Sequence, residues 1–154
     1  MAREKAVVDA SVIVKWYLKE AFTEQALKIR ERFISGALQF IMPSILPFEV
    51  LNALKFSDVF NSKELQSIAL SIEQYGFELY SLTGRFAQST AKIAMDCNIT
   101  IYDASYIALA EVYKAKLYTA DEKIIENCNR AIHIKAVSYT HLRAHETRHD
   151  LVCR

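Results

Sequence analysis

Cysteine, histidine, net charge and long apolar runs are all scarce in this 154-residue chain. The three cysteines (Cys97, Cys128, Cys153) are odd in number and none lies in a CxxC spacing. That pattern excludes a thiolate zinc site and reads as reduced thiols of the cytoplasm rather than disulfides. Charge is balanced, 19 basic residues against 18 acidic ones, so the total neither demands nor forbids a nucleic-acid partner. Charges interrupt every hydrophobic stretch before it reaches the roughly 18 residues of a membrane span. The opening MAREKAVVDAS runs straight into a strand pattern with Asp9 embedded, and is a poor signal peptide. Repeats of architectural length and low-complexity segments are missing as well. The 52% hydrophobic and 24% charged content belongs to an ordinary globular chain, with length enough for one domain and a substantial core.

Three of the four histidines (His141, His145, His149) fall in the last segment, SYTHLRAHETRHDLVCR, residues 138–154. Helical spacing would align them toward a metal. The segment lacks both strand alternation and an apolar helical stripe, however, and reads as a non-native extension to be left out of fold reasoning. Without it, residues 1–137 form a neutral domain.

Within that domain, short apolar runs alternate with helical periods. Strands are expected at 5–9, 38–43, 77–82, 117–120 and 131–137. Helices are expected from 10 or 11 to 18, and over 23–36, 44–57, 61–76, 83–98, 102–115 and 121–129. Thr23, Asn61 and Thr83 stand at capping positions, and Gly36 and Gly76 at helix ends. Alternation of this kind means βα units and a mostly parallel, five-stranded sheet in a three-layer α/β/α sandwich.

Four acids interrupt this pattern. Asp9 closes the first strand in VVDASVIV, and the words Asp-Ala-Ser-x-Ile return around Asp103 in ITIYDASYIALA. Asp121 follows the strand LYTA, and Glu49 stands alone among apolar neighbours in PFEVLNAL. Ligands of open parallel sheets bind beyond the carboxyl ends of the strands, where all four can face. Each aspartate also precedes a helix, where an N-cap carboxylate is common and contributes about 1 kcal/mol. Glu49, near a helix start, suits the helix dipole but has the flanks of an inward face. Gathered together, four carboxylates repel and raise one another's pKa unless a cation joins them. An all-oxygen set suits Mg²⁺ or Mn²⁺ rather than zinc. Such an ion meets phosphate oxygens and activates water, so phosphodiester hydrolysis is the chemistry expected. His133, in the last strand, is out of position as a base. Ser11 and Thr119, two residues from Asp9 and Asp121, would orient a carboxylate or water, or serve only as cap and strand residues.

These motifs, in order over residues 5–137, resemble the PIN-domain family, above all the VapC-type toxins of toxin–antitoxin pairs. The resemblance rests on D-x-S at Asp9, the internal Glu49, YDA-x-Y-x-A-LA and T-A-D-E-K. It implies a Mg²⁺- or Mn²⁺-dependent endoribonuclease that cuts RNA, is restrained by a cognate antitoxin and forms a homodimer. Position by position, Asp9, Glu49, Asp103 and Asp121 match the acidic quartet, and Ser11 and Thr119 the supporting hydroxyls. Lys15 and Trp16 could add phosphate contact and base stacking, with Lys19, Arg85 and Lys123 at the same rim, but the favoured reading makes Lys15, Lys19 and Lys123 solvated helix residues and Trp16 core. Met42 and the tyrosine-rich surfaces read as core or dimer contacts. The alternative is a catalytically silent PIN-like module that binds RNA or an antitoxin peptide. A receiver-type phosphoacceptor would need more acids at the first strand than Asp9. A phosphatase of the D-x-D kind is excluded because Ser11 stands at the second acid.

Overall fold

The computed structural model describes residues 3–137. The histidine-rich segment 138–154, Cys153 included, lies outside them. Chain order is β1 (Glu4–Val8), α1 (Ala10–Val14), α2 (Thr23–Ile34), β2 (Leu38–Pro43), α3 (Leu46–Phe56), α4 (Ser62–Gln74), β3 (Glu78–Tyr80), α5 (Gly84–Cys97), α6 (Ile101–Val112), β4 (Lys116–Thr119), α7 (Glu122–Cys128) and β5 (Ile132–His133), with a 3₁₀ turn at Ile134–Ala136. The five strands form one sheet in the order β3-β2-β1-β4-β5. All four pairings are parallel, so "mostly parallel" understated the regularity. Helices cover both faces of the sheet in a three-layer sandwich.

Local chemistry explains the elements. Central strand β1 is flanked on both sides, and Ala6, Val7 and Val8 are fully buried, as an apolar strand covered on both faces must be. The body of α6 from Ala104 to Ala110 is buried throughout, which is why its apolar residues run almost without a break. Helix α4 begins in a capping box: the Asn61 side chain accepts from the Glu64 N–H, and the Glu64 carboxylate accepts from the Asn61 N–H. Two expected caps differ. Phe22, in left-handed backbone, occupies the cap position of α2, while the Thr23 hydroxyl turns back to accept from the Glu20 N–H. Thr83 precedes α5 but makes no side-chain cap bond.

The elements differ from expectation mainly at their ends. Helix α1 stops at Val14, not 18, and β5 is only two residues long before the chain tightens into the 3₁₀ turn. The cysteines require a larger correction. Cys97 and Cys128 are joined in a disulfide across 31 residues, with Cα atoms 5.3 Å apart. Each cysteine is the last residue of its helix, and each helix ends on a left-handed asparagine, Asn98 or Asn129. The pairing is therefore made by two helix ends meeting in space, which local CxxC spacing could not show. Cysteine usage accordingly gives no argument for a reducing compartment. Among the described residues, no helix is long and apolar enough to cross a membrane.

Candidate active site

In the order β3-β2-β1-β4-β5 the chain builds outward from β1 on one side and then returns to add β4 on the other. That reversal places a topological switch between β1 and β4, where open parallel sheets hold their ligands beyond the carboxyl ends. Asp9 is the residue after β1, and Asp121 the second residue after β4. Glu49 is in the first turn of α3 and Asp103 in the first turn of α6.

Asp9 is the most constrained of the four, with 4% of its surface exposed. Its Oδ1 accepts from the Ser11 N–H at 3.1 Å and from the Ser11 hydroxyl, and its Oδ2 accepts from the Thr119 hydroxyl. Both hydroxyls continue across the switch. The Ala120 N–H donates to Ser11 Oγ and the Asp121 N–H to Thr119 Oγ1, each at 2.9 Å. Ser11 and Thr119 thus tie the β1–α1 junction to the β4–α7 junction, with Asp9 between them. Burial pushes the Asp9 carboxyl up to about 6, even though Ser11 and Thr119 pull it down; Asp121 and Asp103 push it further up.

The other acids divide by role. Asp121 caps α7, accepting from the Lys123 N–H at 2.9 Å. Asp103 caps nothing: Thr100 caps α6 and accepts from the Asp103 N–H, leaving the carboxylate half exposed. Its pKa is raised by burial and then by the charge of Asp121. Glu49 accepts a 2.5 Å hydrogen bond from the hydroxyl of buried Tyr106. Burial raises its pKa, Tyr106 lowers it and the charge of Asp103 raises it. The charges acting on Asp9, Glu49 and Asp103 are thus those of other acids. This is the field that a divalent cation relieves, and an all-oxygen donor set suits a hard one. The acids do not form a closed cage: among the described residues, no three acid, histidine or cysteine side chains converge as a ready-made metal cluster.

The residues expected to touch nucleic acid fare differently. Lys15 is buried, and its Nζ is held by Glu20 at 2.7 Å. Trp16 is in the core: its Nε1 donates to the Ala26 carbonyl at 2.9 Å and its ring packs against Phe40, Tyr75 and Phe77. Trp16 thus lies in the core, as the favoured reading had it, while Lys15 is paired and buried where a solvated helix residue was expected. Arg85 shares a surface groove with Glu111 and Val112 at the last turn of α6, the end opposite Asp103. Lys19 and Lys123 are exposed. Met42 is fully buried, as the core reading had it. Tyr106, which the sequence reading passed over, carries a signal in its polar hydroxyl amid YIALA. His133 is buried against Phe22, and burial lowers its pKa.

A sequence model of the PIN domain matches residues 6–129. The chain belongs to the PIN-domain family. It is 32% identical over 126 residues to ribonuclease VapC3 of Pyrobaculum aerophilum, covering 79% of this chain and 93% of that one. The PIN fold is shared with the toxin–antitoxin complex of Klebsiella pneumoniae at a TM-score of 0.63 and 16% identity, over 84% of this chain and 97% of that one. It is also shared with VapC20 of Mycobacterium tuberculosis, a sarcin–ricin loop cleaving toxin, at a TM-score of 0.60 and 12% identity, over 79% of this chain and 93% of that one. At such identities the two structures speak for the fold alone. The PIN match spans three of the four acids' strand and helix junctions on the amino side of Asp121 and includes Asp121 itself.

Proposed function

We propose that this PIN domain is a Mg²⁺- or Mn²⁺-dependent endoribonuclease, the toxin of a VapBC-type toxin–antitoxin pair, hydrolysing RNA phosphodiesters at Asp9, Glu49, Asp103 and Asp121. The observation that carries the reading is electrostatic. Asp9, buried at the strand switch, has its carboxyl pushed up to about 6 and is acted on by the charges of Asp103 and Asp121. The likeness to a curated VapC ribonuclease supports the same chemistry. Asp9, Glu49, Asp103 and Asp121 would hold the ion, which when bound supplies an activated water and neutralises phosphate charge. Mg²⁺ sites commonly use one or two protein carboxylates and keep several waters, so an open arrangement of acids is compatible with one. Ser11 and Thr119 hold both oxygens of Asp9 and so fix its direction.

The test is cleavage of a panel of structured RNAs by the full chain with Mn²⁺, with EDTA and as the Asp103→Asn variant. The expected result is cutting that requires metal and falls at least about 10²-fold in the variant, beyond the usual cost of disturbing a ligand's supporting residues. Unchanged cutting by Asp103→Asn would sink the assignment. The dispersed acids are the one observation that favours a catalytically silent module, which predicts RNA or peptide binding without turnover at any metal concentration.

The partners proposed are an RNA substrate, a cognate antitoxin, as in the Klebsiella complex, and a second copy of this chain. The homodimer is supported by an apolar groove of about 230 Å³, lined by Ile45, Phe48, Leu82, Phe86, Ile101 and Tyr102 beside the acids. Phe48 is 73% exposed, a large apolar side chain left to water unless another surface covers it. Phe48→Glu is expected to halve the mass measured by light scattering without loss of fold. A wild type already of single-chain mass would remove the dimer.

A further inference from the structure

Tyr106 lies one turn along α6 from Asp103, with 1% of its surface exposed. A phenol buried so deeply leaves a costly orphan unless its hydroxyl finds a partner. The partner is on another element: the hydroxyl donates to Glu49 Oε1 on α3, 57 residues away in sequence. Filling volume alone would call for phenylalanine, which this core uses at Phe40 and Phe86. The acceptor is a carboxylate on another helix, not the backbone. A backbone carbonyl would satisfy a structural tyrosine, whereas here the bond fixes one oxygen of a half-buried carboxylate and thereby directs the other. The charges of Glu49, Asp9 and Asp103 all act on the hydroxyl.

We propose that Tyr106 is a positioning residue, whose hydroxyl holds the Glu49 carboxylate in the direction that lets it join Asp9 and Asp103 around a divalent cation. The proposal rests on the metal-site reading above and adds a residue to it. Supporting hydrogen bonds of this kind orient a ligand before the ion arrives, and their loss typically weakens metal affinity about 10- to 100-fold. The echo of Asp-Ala-Ser-x-Ile gains a structural meaning. At the first copy the residue after Ser11 is Val12, buried as plain core; at the second it is Tyr106, which carries a hydroxyl up to the acids.

The measurement is Mn²⁺ binding to the full chain, read from the paramagnetic resonance signal of the free aquo ion, in wild type, Tyr106→Phe, Glu49→Gln and the double variant. Tyr106→Phe removes one oxygen and keeps the ring, and circular dichroism checks that each variant is folded. The expected result is an affinity about 10-fold weaker in Tyr106→Phe, with no further weakening when the change is added to Glu49→Gln. A tyrosine that only fills the core would shift the melting temperature and leave Mn²⁺ affinity where it was, and that outcome overturns the proposal while the metal site stands. Equal weakening in both backgrounds would also overturn it, because the hydroxyl would then act on something other than Glu49. A wild type that binds no Mn²⁺ would remove the metal-site reading itself.

Discussion

Asp9→Asn is expected to yield a protein that is more stable than the wild type in EDTA and unable to cut RNA. The carboxyl is pushed from 3.8 up to about 6 in the folded chain, chiefly by burial. Its folded form therefore holds the proton more tightly than its unfolded form. The stability this contributes is fully present below pH 3.8 and is lost as pH rises through about 6. At pH 8 the ionised group costs about 3 kcal/mol, taking 1.36 kcal/mol for each pKa unit. Asparagine avoids that charge but cannot accept the Thr119 hydroxyl proton at its amide nitrogen, which returns part of the gain. A net increase of about 1–2 kcal/mol remains, several degrees in melting temperature for a domain of this size. The gain should shrink at pH 5, where wild-type Asp9 is largely protonated, and Mn²⁺ should stabilise the wild type more than the variant. Cleavage should fall about 10³-fold or more, the scale on which reaction-centre groups act. Thermal melts at pH 5 and pH 8 in EDTA, with cleavage in Mn²⁺, read all of this. An Asp9→Asn protein less stable than wild type at pH 8 would show that the hydrogen bonds to Asp9 outweigh the cost of burying its charge, and cleavage near the wild-type level would leave Asp9 a structural cap only.

That trade-off is visible in the sequence only in part. A carboxylate after VV and before ASVIV signals a site because burying it is costly, and strand order accounts for why Asp9 and Asp121 meet. What holds them is less legible. Thr119 reaches Asp9 across 110 residues and Ser11 receives the Ala120 N–H across 109, and both contacts depend on β1 and β4 being neighbours. Strand spans and helix bodies were readable because burial imposes a period; Leu38–Pro43 stands where its apolar run ends. Helix ends were less so, since the sequence points to Asp103 as a cap and the backbone instead places Thr100 there. The cysteine pairing was invisible for the same reason as the Asp9 contacts, because it is made by tertiary structure. Lys15 and Trp16 mark another limit. A helix of five residues is too short to define an apolar face, so nothing local tells which of its following residues turn inward.

Trp16→Ala is the second large effect, and it separates a core role from a recognition role. The indole donates to the Ala26 carbonyl on α2 and meets Tyr75 edge-on with ring centroids 5.1 Å apart. Phe40 and Phe77 complete its surroundings, at 6.2 and 6.1 Å. Removing so large a buried ring should cost about 3–5 kcal/mol, a large fraction of the 5–15 kcal/mol typical of whole domains. Trp16→Phe keeps most of the packing and loses the hydrogen bond, so it should cost less, about 1–3 kcal/mol. A tryptophan that stacked on a base would behave otherwise. Its removal would cost about 1–3 kcal/mol of RNA affinity and little stability, because an exposed ring supports nothing beneath it. Urea unfolding of both variants, with RNA binding by fluorescence anisotropy for the folded Trp16→Phe protein, distinguishes the two. Unchanged affinity beside a lowered unfolding midpoint assigns the ring to the junction of α1, α2 and β2. A fall in affinity with the midpoint unmoved would return Trp16 to the nucleic-acid surface, and would require the chain from Lys15 to Phe22 to open when RNA binds.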